Sequence, residues 1–273
     1  AESDLQPNSL ARSRLAYDEL LANQLALLIV RMKQRSRPGR SITGDRALRE
    51  RLEQTLPFSL TTSQRAANAE ISEDMKSNSR MLRLLQGDVG SGKTLVALMA
   101  MLTAVEQGAQ AAIMAPTEIL ARQHFATIEP LANKIGVSVV LITGRDKGKK
   151  REQLVSSLKS GQISIAIGTH ALFQQDIGFK DLALVVVDEQ HRFGVHQRLA
   201  LAGKGAAADI LVMTATPIPR TLMMTAYGDL ETSRLRDKPA GRKPIETRAI
   251  PLSRLENIVD RLRTAIPTGA RAY

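Results

Sequence analysis

Residues 87 to 94 read Gly-Asp-Val-Gly-Ser-Gly-Lys-Thr, a match at every fixed position to the phosphate-loop pattern G-x-x-x-x-G-K-[ST]. The residue types suit a triphosphate. Gly87, Gly90 and Gly92 let backbone N–H groups come close to phosphate oxygens, with Asp88, Val89 and Ser91 completing the loop, and a helix N-terminus behind them adds partial positive charge. Lys93 has the reach to meet the β- and γ-phosphates, and the Thr94 hydroxyl can ligate Mg²⁺. A chance glycine-rich turn is the alternative, and the flanks argue against it: Met81 to Leu85 is an apolar run of strand type, and Leu95 to Val105 is rich in Ala, Leu and Met, as a helix would be. The octapeptide predicts nucleoside triphosphate binding with Mg²⁺.

A second constellation lies about 95 residues on. Val185-Val186-Val187 is followed by Asp188 and Glu189, two adjacent carboxylates at the carboxyl end of an apolar strand, where ligands bind in parallel sheets. In that position Asp188 would hold Mg²⁺, directly or through water, and Glu189 would orient and deprotonate an attacking water. Thr214-Ala-Thr216 follows another apolar run, Ile210 to Met213, and its hydroxyls could carry a shift at the carboxylates to a neighbouring element. A Thr-rich strand end without a role is the competing reading.

These residues need a scaffold, and the pattern from Met81 onward supplies one. Short runs rich in Ile and Val (111–115, 138–142, 163–167, 183–187, 210–213) are separated for the most part by helical segments (118–134, 149–160, 194–202). That alternation predicts an α/β fold, a parallel sheet buried on both faces by helical crossovers. Before it, Leu10 to about Lys33 has helical periodicity, and Arg-Ser-Arg-Pro-Gly at 35–39 ends it. Asp45 could cap a helix to about Thr55, and another helix reaches about Lys76. After it, Pro239 to Pro244 reads as a linker, Ile245 to Ile250 as a strand and Ser253 to Thr264 as a helix. The expected organisation is a helical segment over 1–44, a nucleotide-binding domain over 45–240 and the opening of another domain over 241–273.

Composition narrows the partners. With 273 residues, 43% of them hydrophobic, the chain can bury a sizeable core; with no Cys it can form neither a disulfide nor a thiolate metal site. Neither a signal-peptide pattern nor an apolar run long enough for a bilayer is present, which predicts a soluble cytoplasmic protein. His124, His170, His191 and His196 are not in zinc-ligand spacing. The net charge of +11 points to a polyanion. Arg31, Lys33, Arg35, Arg37 and Arg40 form one basic cluster, and Arg145, Lys147, Lys149, Lys150 and Arg151 a second. Each can equally be a solvated helix end or loop. Only 3% of residues are aromatic, so contact with nucleic acid should fall on the phosphate backbone rather than on stacked bases.

Taken in order, Gln64 within Phe58-Ser-Leu-Thr-Thr-Ser-Gln, the phosphate loop, Ala115-Pro-Thr-Glu, Gly168-Thr-His, Asp188-Glu-Gln-His and Thr214-Ala-Thr-Pro resemble the motifs of superfamily 2 helicases, from the Q-like motif through motif III. Longer strings narrow the resemblance to the RecG family of bacterial branched-DNA translocases. They are Leu85 to Thr94, Asp188-Glu-Gln-His-Arg-Phe-Gly-Val-His-Gln-Arg, Thr214-Ala-Thr-Pro-Ile-Pro-Arg-Thr-Leu, Arg12-Ser-Arg-Leu-Ala-Tyr-Asp-Glu-Leu-Leu and Gly241-Arg-Lys-Pro-Ile. Transcription-repair coupling factor is the nearest rival, but it typically has Glu where Gln190 stands. The resemblance implies a RecA-like fold, ATP and Mg²⁺ as cofactors, and branched or forked DNA as partner. It assigns adenine recognition to Gln64, DNA-backbone contact to Pro116, Thr117, Gly168, Thr169 and His170, and coupling of hydrolysis to movement to Gln190, His191, Thr214 and Thr216. Arg122, Thr143 and Gly144 are further DNA-facing candidates. It also implies that a wedge domain and a second motor lobe of the parent protein lie outside this sequence. A nucleotide-gated DNA-binding module remains the alternative for the chain itself.

Overall fold

A computed structural model describes residues 9–35, 38–145, 148–174, 176–188, 208–216, 231–237, 247 and 249–271. Its centre is a seven-stranded, wholly parallel sheet: β1 (Leu82–Gly87), β2 (Gln110–Met114), β3 (Val139–Ile142), β4 (Ile165–Gly168), β5 (Leu182–Asp188), β6 (Asp209–Thr214) and β7 (Glu231–Leu235). They are ordered β3-β4-β2-β5-β6-β1-β7. The apolar runs become strands because both faces are covered. Alternate residues feed two cores: Ile113, Ile165, Ile167, Leu184 and Val186 point one way, Met114, Ala166, Val185 and Val187 the other. Helices α2 (Ala47–Thr55), α3 (Thr62–Lys76), α4 (Lys93–Glu106) and α5 (Glu118–Lys134) supply the first core, and α6 (Gly148–Ser160) the second. This is the RecA-like α/β architecture that the resemblance implied. The N-terminal helix is also present, as α1 (Leu10–Arg35), with Leu15, Leu20, Leu25 and Leu28 exposed. Among the described residues no helix is long and apolar enough to cross a membrane.

The chain divides into two compact units, Ala1–Pro239 and Ala240–Tyr273. The second contains α7 (Leu255–Ala265), within the stretch expected to be helical. The strand expected over Ile245 to Ile250 is not formed at its described residues Thr247, Ala249 and Ile250. A lone strand leaves its N–H and C=O groups unpaired, and no other strand exists among the described residues of this unit. The helix expected over 194–202 and the linker over Pro239 to Pro244 lie outside the described residues. β7 was not foreseen.

The start of α2 shows how tertiary contact replaces local capping. Arg46, its N-cap, has φ 69° and makes no side-chain cap bond, while the Asp45 carboxylate accepts from Ala47 N at 3.0 Å. The larger contribution comes from Glu106, at the far end of α4. Its fully buried carboxylate accepts from Arg46 N, Leu48 N and Arg49 N at 3.0 to 3.1 Å and meets the Arg49 guanidinium at 2.9 Å. Glu106→Gln keeps one acceptor oxygen and loses the charge that holds these donors. A charged hydrogen bond is worth roughly 1.5–3 kcal/mol against about 1 for a neutral one, so the variant should lose about 1–2 kcal/mol of unfolding free energy in a urea titration. An unchanged midpoint would contradict this account of the cap.

Candidate functional site

A parallel sheet brings every strand's carboxyl end to one edge, and all the described site residues gather there. On the β5-β6-β1 half stand Asp188, Thr214 and the phosphate loop; on the β3-β4-β2 half stand Thr143-Gly144, Gly168-Thr169-His170 and Pro116-Thr117. The candidate nucleotide residues and the candidate DNA residues thus occupy separate halves, meeting where β2 pairs with β5.

The phosphate loop turns from β1 into α4 through Gly92, whose φ of 87° is left-handed and whose missing Cβ would overlap the Gln64 amide. Asp88, Val89 and Gly90 are exposed, and Thr94 is half-buried in the first turn of α4. Lys93 Nζ donates to Gly87 O at 2.6 Å and Asp88 O at 3.1 Å, placing the ammonium inside the loop. The Ser91 Oγ is buried with no hydrogen-bond partner among the described residues. A buried hydroxyl without a partner is costly, and phosphate oxygens would satisfy it. The ammonium, the side-chain-free Gly92 and this orphan hydroxyl fit a polyphosphate. Thr94 and Asp188 offer the oxygen donors that Mg²⁺ requires.

Gln64 lies behind the loop rather than open to solvent. Thr61 and Gln64 form a capping box at the start of α3, with Gln64 Oε1 accepting from Thr61 N at 2.9 Å. Gln64 Nε2 donates to Ser91 O at 2.9 Å. The side chain is buried and grips the phosphate loop itself. Just ahead of it, Ser63 N donates to Asp237 Oδ2 at 2.7 Å and Ser63 Oγ accepts from Asp237 N at 3.3 Å. The Ser63 N–H holds the Asp237 carboxyl below the usual carboxylate range.

Asp188 ends β5, buried, and its Oδ2 lies 2.7 Å from His124 Nε2 on α5. A carboxylate oxygen only accepts, so this contact places the ring proton on Nε2. Thr214 is buried one strand away, its Oγ1 accepting from Thr216 N at 3.1 Å; Thr216 is exposed, and its carbonyl accepts from Gln86 Nε2 at 3.3 Å. Glu189, Gln190 and His191 lie outside the described residues.

On the other half, Thr117 is the exposed N-cap of α5, accepting from Leu120 N at 3.3 Å, and Pro116 precedes it half-buried. Thr169 is buried and caps the short turn His170–Phe173; His170 is exposed. Gly168 is required by packing, because a Cβ there would overlap Ile142 O. Thr143 is buried beneath the exposed Gly144. Arg122 and Arg145 both reach Glu118, at 2.8 and 3.2 Å. Among the basic clusters, Arg40 pairs with Asp181, and Arg151 with Asp176. The Glu118 pairs involve exposed guanidinium groups, and such pairs contribute only about 0–1 kcal/mol each.

Residues 61–225 match the DEAD/DEAH box helicase family. The chain is 47% identical over 268 residues to the ATP-dependent DNA helicase RecG of Escherichia coli (strain K12), covering 96% of this chain and 39% of that protein. It is 44% identical over 263 residues to RecG of Thermotoga maritima, covering 96% of this chain and 34% of that one. A solved structure of RecG bound to a three-way DNA junction superposes with a TM-score of 0.84 at 43% identity, over 95% of this chain and 35% of that chain. A structure of the helicase MrfA bound to DNA and AMPPNP shares the fold alone, with a TM-score of 0.58 at 17% identity over 82% of this chain and 35% of that one. The chain therefore spans between about a third and two fifths of the length of these two RecG relatives. The chain belongs to the DEAD/DEAH box helicase family.

Proposed function

We propose that this chain is the ATP-binding lobe of a RecG-type, ATP-dependent DNA helicase that remodels branched DNA such as stalled forks and Holliday junctions in the bacterial cytoplasm. The observation that supports the reading is the separation, along one sheet edge, of the phosphate-loop motif and Asp188 from the candidate DNA-contact motifs. Identity of 43% to a RecG whose structure holds a three-way junction supports the choice of branched DNA. In this reading the phosphate-loop amides and Lys93 bind the phosphates, and Thr94 and Asp188 hold Mg²⁺, which neutralises charge on them. Glu189 orients water. Pro116, Thr117, Gly168, Thr169, His170, Arg122, Thr143 and Gly144 form the DNA-facing rim, where the exposed Thr117 cap and the buried Thr169 cap fix the backbone that meets phosphates. Gln190, His191, Thr214 and Thr216 couple the two halves. Gln64 acts through the loop it grips as well as on the base.

A nucleotide-gated DNA-binding module is the second reading, favoured by the net charge of +11. Junction affinity measured by anisotropy, with an ATP analogue and with ADP at several salt concentrations, separates them. The motor lobe should change junction affinity severalfold between the two nucleotides. A clamp on phosphates weakens steeply with salt whatever nucleotide is present. Equal affinity in both nucleotides would reject the motor reading.

A further inference from the structure

Where the two halves of the sheet edge meet, the His124 side chain crosses the boundary. β2 runs directly into α5, whose N-cap is Thr117, and seven residues along that helix His124 turns back to the end of the neighbouring strand β5. Seven residues of helix advance about 10 Å, so α5 spans from the exposed rim to the buried carboxylate. His124 is 8% exposed, Asp188 also 8%, and the 2.7 Å contact joins residues 64 apart in sequence. Among the described residues it is the hydrogen bond by which α5 reaches the phosphate half.

We infer that His124 is a positioning residue: its Nε2–H fixes the Asp188 carboxylate for Mg²⁺ and ties that carboxylate to the helix that starts at the DNA-facing rim. The inference rests on the ATP reading above. A carboxylate on a strand end can rotate, and a cation that demands near-ideal octahedral geometry binds best when that rotation is suppressed. With Oδ2 held by the ring, Oδ1 is presented to the cation or its water in one orientation. Groups that orient a metal-binding side chain from behind typically contribute about 10–100-fold in metal affinity. Because α5 is one continuous helix from Thr117 to His124, a shift of its N-terminus on DNA phosphates moves the donor at Asp188 as well.

The test titrates Mg²⁺ into the chain bound to a fluorescent ATP analogue, with EDTA as the metal-free reference. His124→Phe fills the ring's space without a donor, and His124→Gln returns an N–H at a similar reach. We expect the phenylalanine variant to raise the Mg²⁺ needed for half-saturation by about tenfold, with nucleotide affinity in EDTA unchanged and with glutamine restoring most of the loss. His124→Asn, whose amide falls short of Oδ2, replaces the phenylalanine variant if that one does not fold. Wild-type Mg²⁺ dependence in the donor-less variant would overturn the inference, as would an equal shift with glutamine, which would make ring packing the cause. Nucleotide binding by the unmutated chain that ignores Mg²⁺ would instead overturn the ATP reading.

Discussion

Lys93→Ala is expected to weaken binding of Mg·ATP by up to two orders of magnitude while leaving the melting temperature within a few degrees of the unmutated chain. The ammonium already lies inside the phosphate loop, on the carbonyls of Gly87 and Asp88. It is therefore pre-placed, and only its partners change when phosphates arrive. A charge-assisted hydrogen bond contributes roughly 1.5–3 kcal/mol, and about 1.4 kcal/mol is a factor of ten. Removing it from the folded chain alone leaves two loop carbonyls that water can reach, so stability should barely respond. Isothermal titration with a non-hydrolysable ATP analogue, beside a thermal melt, checks both halves. Retained affinity in the variant would mean that the loop's backbone amides and Ser91 suffice, and the role assigned to Lys93 would fall.

Asp209→Asn should flatten the dependence of stability on pH. Asp209 opens β6 at the end of the sheet remote from the phosphate loop; its Oδ1 accepts from Met81 N at 2.7 Å, and its Oδ2 is buried without a partner among the described residues. Burial pushes the carboxyl up from 3.8 to about 7, against the lowering effect of the Met81 N–H and of Arg80. A raised folded-state value means the folded chain binds the proton more tightly. The contribution is fully present below the unfolded value near 4 and is lost as pH rises through about 7. Three units at about 1.4 kcal/mol each make the swing about 4 kcal/mol in scale. Asparagine keeps the acceptor for Met81 and cannot ionise. Urea denaturation at pH 5 and pH 8 should show the unmutated chain losing about 2–3 kcal/mol more than the variant between the two. Parallel losses would show that Asp209 is not the group responsible.

Legibility in the sequence followed burial. β1 to β6 were visible because each is built around a short apolar run, as in Val185-Val186-Val187. β7 reads Glu-Thr-Ser-Arg-Leu and was invisible: it is an edge strand in which only Ser233 and Leu235 are buried. Its place is fixed by pairing with β1 and by Arg83, which reaches Ser233, Glu70 and Asp74 from β1. Ile245 to Ile250 alternates as a strand should, yet alternation alone does not supply a neighbour. The phosphate loop and Asp188 were legible because their spacing is local. His124 was not, since its meaning comes from a partner 64 residues away and its spacing from other histidines suggests nothing. The Gln64 grip on Ser91 and the Glu106 cap on α2 are hidden for the same reason: each joins elements that only the finished fold brings together.

The clasp between Asp237 and Ser63 has a mechanical consequence. A pull applied to the chain beyond Asp237 would meet this clasp two residues past the end of β7. β7 runs parallel to β1, so that pull loads its ladder lengthwise, in shear, where the hydrogen bonds resist together rather than unzipping one by one. The Asp237 clasp diverts part of the load sideways into the first turn of α3, and the next residue there, Gln64, is bonded to the phosphate loop. Such a pull would be delivered as a small torque on the loop between β1 and α4.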